Sequence, residues 1–286
     1  MGNLRSSISR SYGSIKYIGV SDKEVAKAKI LGEKINADLI SSNNEEIISN
    51  ENVHAIIVST SEPEHLDPVI QALERGKPVL VEKPIALSED DAKKMIEVAN
   101  KNNTTLHVGY TLRFNRHFLI GKQQILDKKI GNILSCVGRF YNSQRTGAEI
   151  LKRSKNISFI NDALTYLVDL FGWYMEDKKP KEIIAKGHGK IYRRDGYDVD
   201  EIAAAIITYE DGTIVNLSMG YALPKNYPSH GRLVRAEIIG ENGVLFFDDD
   251  RKEHIGFSEH GMHHAYVDTN TEMALLTSNA SGNWAM

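Results

Sequence analysis

Cysteine is almost missing from this chain: Cys136 is the only one in 286 residues. No intrachain disulfide can form, and a reducing cytoplasm is the simplest compartment. Long apolar runs are missing too. The opening residues Met1-Gly2-Asn3-Leu4-Arg5-Ser6 contain no apolar block, so neither a secretion signal nor a membrane-spanning helix is expected. Charge of one sign is not in excess, since 35 Lys and Arg face 38 Asp and Glu for a net charge of -3. That balance offers no general attraction to nucleic acid or anionic lipid. What is present is ordinary globular material, 41% hydrophobic and 26% charged, which excludes collagen, disulfide scaffolds and disorder. At roughly 150 residues per domain the length allows about two domains.

The first hundred residues alternate strand and helix signals. Apolar runs at 15–20, 53–58, 79–81 and 106–109 read as strands, and the second is nearly continuous (Val53-His54-Ala55-Ile56-Ile57-Val58), as a strand buried on both faces is. Between them, 24–35 and 63–75 carry helical periodicity, with Gly76 as the stop of the second. Ser88-Glu89-Asp90-Asp91 opens a further helix with a cap and acids in its first turn. Strand and helix in alternation predict a doubly wound parallel sheet.

After residue 130 the pattern changes. Stretches 133–141, 182–188, 201–209, 213–221, 232–239 and 243–248 alternate apolar and polar positions, with turn signals at Asp211-Gly212 and Glu241-Asn242-Gly243. One helix, at about 159–175, interrupts them. The expected architecture is α/β, a Rossmann-type domain over 1–110 followed by an α+β domain over 111–286 with an open, mostly antiparallel sheet.

In doubly wound sheets ligands lie beyond the carboxyl ends of the strands. That rule selects Ser21 and Asp22, Ser59 and Thr60, Glu82 and Lys83, and residues 110–113 as candidates. An acid after a strand accepts hydrogen bonds from the ribose hydroxyls of a dinucleotide and repels a 2′-phosphate; Asp22 also suits a helix N-cap, and both roles can hold together. Of a glycine-rich phosphate loop only Gly2 and Asn3 remain, with Arg5 at the position of the third glycine and the first strand missing. Lys83 directly after a buried strand is costly unless its ammonium meets an acceptor.

The segment Gly76-Lys77-Pro78-Val79-Leu80-Val81-Glu82-Lys83-Pro84-Ile85-Ala86, with Thr60 to His65 before it and Val108-Gly109-Tyr110, Arg113-Phe114 and Lys129-Ile130-Gly131 after it, resembles the Gfo/Idh/MocA family of oxidoreductases. The resemblance runs in order through nearly the whole chain. It implies a nicotinamide-binding Rossmann domain, a second domain that forms oligomer interfaces, and NAD as cofactor, with NADP as the alternative. It places cofactor contacts at Gly2, Asn3, Ser21, Asp22, Ser59, Thr60, His65, Glu82 and Lys83. The family's second motif, Asp-x-Gly-x-His or Asp-x-Gly-x-Tyr, reads Asp162-Ala163-Leu164-Thr165-Tyr166 here, with Leu164 replacing the small glycine.

Lys83, Asp162 and Tyr166 are then the expected catalytic set, converging on one nicotinamide pocket, and Arg113, Asp162 and Tyr166 the substrate contacts. Four-residue spacing puts Asp162 and Tyr166 on one helical face, continued by Asp169, for which a structural role is expected. The implied reaction is hydride transfer between nicotinamide and a sugar, cyclitol or related polyol. Alternatives are an NAD-dependent glycoside hydrolase of the same fold and a non-catalytic sugar or dinucleotide sensor. No metal site is expected: His260, His263 and His264 match no zinc spacing and read as a solvated loop. Trp284 near the end suggests an apolar residue on a loose terminus, and truncation at both ends is expected.

Overall fold

The computed structural model describes residues 1–153, 157–227, 231–248, 253–258 and 261–266. The chain divides into two units, Met1–Tyr110 and Thr111–Met286, each with its own apolar core. Among the described residues no helix is long and apolar enough to cross a membrane.

The first unit alternates helix and strand throughout. Its elements are α1 (Gly2–Ser11), β1 (Gly19–Ser21), α2 (Val25–Ile35), β2 (Leu39–Ser41), α3 (Asn44–Ser49), β3 (Ile56–Val58), α4 (Leu66–Glu74), β4 (Val79–Val81), α5 (Glu89–Lys101) and β5 (Leu106–Val108). Local chemistry sets the helix ends. The Asn43 side chain accepts from the Glu45 amide and Ser88 from the Asp91 amide, each satisfying a donor the helix cannot. Gly76 at φ +70° ends α4 in the left-handed region where side chains are strained. All strand pairs in this unit are parallel, in two sheets, β1-β2 and β3-β4-β5. The core lies around β3 and β4, where Val69, Ala72, Leu73, Val81 and Met95 are fully buried, each large aliphatic side chain worth about 2 kcal/mol.

The Rossmann-like alternation expected from the sequence is present, with three differences. The run 53–58 shortens to Ile56–Val58, and the run 15–20 shifts to Gly19–Ser21. Helix α1, strand β2 and helix α3 were not anticipated: β2 has three residues and α3 six, too few for periodicity to register. Helix α1 buries none of its residues, so no apolar stripe had to be paired for it to form.

The second unit is built on an eight-stranded sheet of order β13-β12-β11-β10-β6-β9-β8-β7. The strands are β6 (Ile133–Ser143), β7 (Pro180–His188), β8 (Ile202–Tyr209), β9 (Ile214–Leu223), β10 (Arg232–Gly240), β11 (Gly243–Asp248), β12 (Glu253–Ser258) and β13 (Gly261–Tyr266). Every neighbour pair is antiparallel except β6 and β9 at the centre. Helices α6 (Arg116–Leu126), α7 (Gln144–Arg153) and α8 (Thr165–Tyr174) pack against one face of the sheet. Gly138 on β6 permits this: a Cβ there would lie 2.5 Å from the Phe171 ring, so a larger residue would push α8 off the sheet.

Here too the expectation needs correction. Helices α6 and α7, which the sequence reading did not mark out, cover the sheet together with the expected one. His263 and His264 lie in β13, paired with Gly256 and Ile255 of β12, and not in a solvated loop; β-ladder pairing overrides weak local propensity. His260 and Trp284 fall outside the described residues.

Cys136 sits on the covered face of β6, fully buried, and burial pushes its thiol up to about 12. Its thiolate is therefore negligible at pH 7 to 9. A thiol reagent is expected to label the native chain not at all and the unfolded chain once; rapid labelling of native protein would show that β6 is not covered.

Candidate cofactor and active-site residues

The sequence-selected residues of the first unit collect at one end of its strands. Ser21 and Asp22 follow β1, Ser59 and Thr60 follow β3, and Glu82 and Lys83 follow β4, the edge at which parallel sheets bind ligands. Asp22 is half-buried, and its Oδ1 accepts from the Glu24 amide at 2.9 Å, which leaves its other oxygen for a second donor. Ser21 donates to Asn44 Oδ1 at 2.7 Å, and Thr60 to the Glu64 carbonyl at 3.2 Å. Ser59 Oγ is buried with no hydrogen-bond partner among the described residues.

Gly2 and Asn3 open α1 next to this edge: a Cβ on Gly2 would have Ser59 Cβ as its nearest neighbour, at 3.6 Å. No side chain caps this helix, and its first turn holds no acid. Its first amides are therefore open to an anion. Arg5, one turn on, pairs with the buried Glu82 at 2.8 Å, and Gly109 leaves room for them, since a Cβ there would meet both within 3.2 Å. The structure thus gives Glu82 a partner inside the protein.

His65 has a similar internal task. It is buried, and its Nδ1 lies 3.0 Å from the Pro84 carbonyl, so the imidazole ties α4 to the segment carrying Lys83, where the Lys83–Pro84 peptide is cis. Its Nε2 has no partner among the described residues.

In the second unit Asp162 lies within a π-helical turn, Ile160–Leu164, directly ahead of α8. The single α-helix expected over 159–175 is therefore wound more loosely where its acid sits, a distortion that recurs at functional sites. Asp162 is buried, and Tyr221, from the end of β9, donates its hydroxyl to Asp162 Oδ2. Burial, with the Asp162 charge second, raises the Tyr221 pKa well above the usual phenol value, so it remains a donor. The Asn142 side chain hydrogen-bonds the same hydroxyl. The Tyr221 ring stacks on Phe159 at 4.2 Å, and Tyr192 reaches its carbonyl at 3.0 Å.

Tyr166, half-buried on α8, stacks on Phe140 with ring centroids 5.2 Å apart, and is close enough to Tyr221 to influence its ionisation. Asp162 and Tyr166 thus share the neighbourhood of Tyr221, reached through the π turn. Leu164, at the family's glycine position, is buried in the core. Arg113 makes a two-point ion pair with Asp169, Nε at 2.8 Å from Oδ2, and lies over the Trp173 ring. This accounts for Asp169 structurally and gives Arg113 an internal anchor.

Tyr221 and Asn142 escaped the sequence reading. The inward alternation Val215, Leu217, Met219, Tyr221 could have placed the phenol on the covered face, but only the fold brings it to Asp162, 59 residues earlier.

Comparison with known proteins agrees with this layout. Residues 3–110 match the family model described as oxidoreductase family, NAD-binding Rossmann fold, and residues 118–246 match the GFO/IDH/MocA C-terminal domain. The scyllo-inositol 2-dehydrogenase (NAD(+)) of Bacillus subtilis (strain 168) is 26% identical over 84% of this chain and 68% of its own length. The 2,7-anhydro-N-acetylneuraminate hydratase of Mediterraneibacter gnavus is 25% identical over 84% of this chain and 65% of its own. The chain thus spans about two thirds of the length of these relatives. A solved levoglucosan dehydrogenase, in complex with NADH and levoglucosan, superposes with TM-score 0.81 at 19% identity, over 100% of this chain and 81% of its own, a likeness of fold.

Removing the donor to a buried carboxylate costs more than an ordinary hydrogen bond. Tyr221→Phe is expected to lower unfolding free energy by about 1–3 kcal/mol in urea titration; a loss below about 0.5 kcal/mol would show that the hydroxyl does not carry the Asp162 charge.

Proposed function

Because this chain belongs to the GFO/IDH/MocA oxidoreductase family, we propose that it is an NAD(P)-dependent dehydrogenase or reductase acting on a CH–OH group of a sugar, cyclitol or related polyol. The observation that carries the reading is the pairing, on one helix start, of a buried and hydrogen-bonded Asp162 with a half-buried Tyr166.

The residues present fit a dinucleotide. The uncapped N-terminus of α1, at Gly2 and Asn3, suits the pyrophosphate. The orphaned Ser59 hydroxyl, with Ser21 and Thr60, gives further polar contacts, and the second oxygen of Asp22 suits the ribose. A carboxylate there disfavours a 2′-phosphate, so NAD is the preferred cofactor. Glu82 and His65 act through the neighbours they hold, Arg5 and Pro84. When bound, the nicotinamide ring accepts or returns the hydride.

The chain's own groups handle the proton and the orientation. Tyr166 takes the hydroxyl proton as the C–H bond breaks and returns it in the reverse direction. Lys83 is the cation assigned to steady the developing alkoxide. Asp162, fixed by Tyr221, accepts a hydrogen bond from a neighbouring substrate hydroxyl. Arg113, anchored by Asp169, is a further candidate contact for the substrate. Substrate orientation by a pre-held carboxylate reduces the entropy lost on reaching the reactive geometry.

The hydratase among the relatives favours a second reading, in which oxidation and reduction cancel within one turnover and no reduced cofactor accumulates. We also place the protein in the cytoplasm, as a homo-oligomer joined through the uncovered sheet face. That face carries Ile184, Ile206, Ile214, Ile239 and Phe246 exposed, and β7 is an open edge, a combination proteins usually cover.

Lys83→Met is expected to leave NADH binding, followed by its fluorescence, near the parent value while turnover falls by roughly 100-fold or more, and Tyr166→Phe to lose about 10²–10⁴ in rate. Unchanged turnover in either variant would remove that residue from the mechanism. Assays on sugars and inositols should follow substrate loss as well as NADH, since substrate loss without NADH identifies the second reading. Sedimentation of the double variant Ile184→Lys, Ile206→Lys is expected to show a smaller species than the parent; an unchanged mass would exclude this face.

A further inference from the structure

Antiparallel neighbours need as few as two residues between them, yet β7 and β8 are joined by residues 189–201. The extra length does not loop away from the second unit. It forms a 3₁₀ turn, Tyr192–Asp195, that sets Tyr192 in the core, where it is 3% exposed. The Tyr192 ring meets Phe159 edge-on at 5.2 Å, and its hydroxyl lies 3.0 Å from two carbonyls, those of Gln144 and Tyr221. Arg193, the next residue, instead pairs with Asp198 and Asp200 within the loop.

Glu201, directly before β8, fixes this turn. It is 2% exposed, and its Oε1 accepts from the amides of Lys190 and Ile191 at 2.6 and 2.9 Å, the two donors that lead into the turn. Its Oε2 is buried with no hydrogen-bond partner among the described residues. Both bonds therefore fall on one oxygen, and the loop uses Glu201 as an acceptor. The same residue also reaches Tyr221 through the backbone, because the Glu201 carbonyl accepts the Tyr221 amide at 2.7 Å. Tyr221 is thus held at its amide by Glu201 and at its carbonyl by Tyr192, whose seat Glu201 sets. Phe159 stacks on its ring, so the phenol has little freedom to leave Asp162.

We propose that Glu201 is a positioning residue for the substrate-orienting carboxylate: by holding the Lys190 and Ile191 amides it seats Tyr192, Tyr192 seats Tyr221, and Tyr221 aims Asp162. Glu201 acts through two phenols and has no contact with substrate to make. Its effect on turnover rests on the polyol reading above, in which Asp162 orients a substrate hydroxyl; its hold on Tyr221 does not. A positioned group moved by about 1 Å from its productive place loses on the order of 100-fold in rate, so a buried acceptor remote from the chemistry has a kinetic consequence.

The test uses Glu201→Ala, Glu201→Gln and Tyr192→Phe in the whole chain, with tyrosine ring NMR on ¹³C-labelled protein as the first readout. The Tyr221 resonance is identified by its absence from Tyr221→Phe. Expected is a shifted Tyr221 resonance in Glu201→Ala and in Tyr192→Phe, and the parent position in Glu201→Gln, whose amide oxygen accepts the same two bonds. Tyr192→Phe keeps the ring and carries the test if Glu201→Ala does not fold. An unmoved resonance in the folded variants, or Glu201→Gln displaced as far as Glu201→Ala, would overturn the proposal. On a polyol that the parent oxidises, Glu201→Ala is expected to lose at least about tenfold in kcat/KM, with NADH affinity unchanged, and to lose nothing further when added to Tyr221→Phe. Losses that multiply would also overturn it, since Glu201 would then act independently of Tyr221. If the parent oxidises no polyol while the resonances move as expected, the dehydrogenase reading fails and the hold of Glu201 on Tyr221 stands.

Discussion

A carboxylate buried in an apolar core must be met by donors, and this constraint organises the second unit. Asp162 is buried in the second unit, where an uncompensated charge would cost several kcal/mol. The solution recruits distant parts of the chain: Tyr221 from β9 donates, Asn142 from β6 holds the phenol, and Tyr192 holds the Tyr221 backbone. Even Gly147 belongs to it, since a Cβ on that residue would collide with the Tyr192 hydroxyl. The π turn that carries Asp162 is the backbone's share of the same arrangement.

The first unit solves a different problem. Its functional edge is made of short strands, and the groups at their ends are braced by side chains that never need to touch a ligand. Arg5 fixes Glu82, and His65 fixes the carbonyl after Lys83. Bracing of this kind reduces the freedom of the backbone that carries Lys83. The division between holding groups and acting groups explains why so many polar residues gather at one edge.

The family's own motif changes are absorbed by packing. Leu164, where the resemblance implies a glycine, is buried in the core and ends the looser helical turn that carries Asp162. Arg113, read from sequence as a substrate contact, is held by Asp169 and Trp173; an ion pair of this geometry keeps the guanidinium in place whether or not a substrate is present.

The alternation of apolar runs and helix signals was enough to predict a doubly wound sheet, and strand ends pointed to Asp22, Ser59 and Lys83, because period and cap residues are local properties. The strict alternation of β8 to β11 likewise made the second sheet legible. Strand β2, helix α3 and the β12-β13 hairpin were not legible, since segments of three to six residues carry too little periodicity and owe their form to neighbours. Only the tertiary structure could bring Tyr221 to Asp162 and pair Arg113 with Asp169. These depend on which elements become adjacent, and adjacency is decided by burial over the whole unit and not by any local stretch of chain.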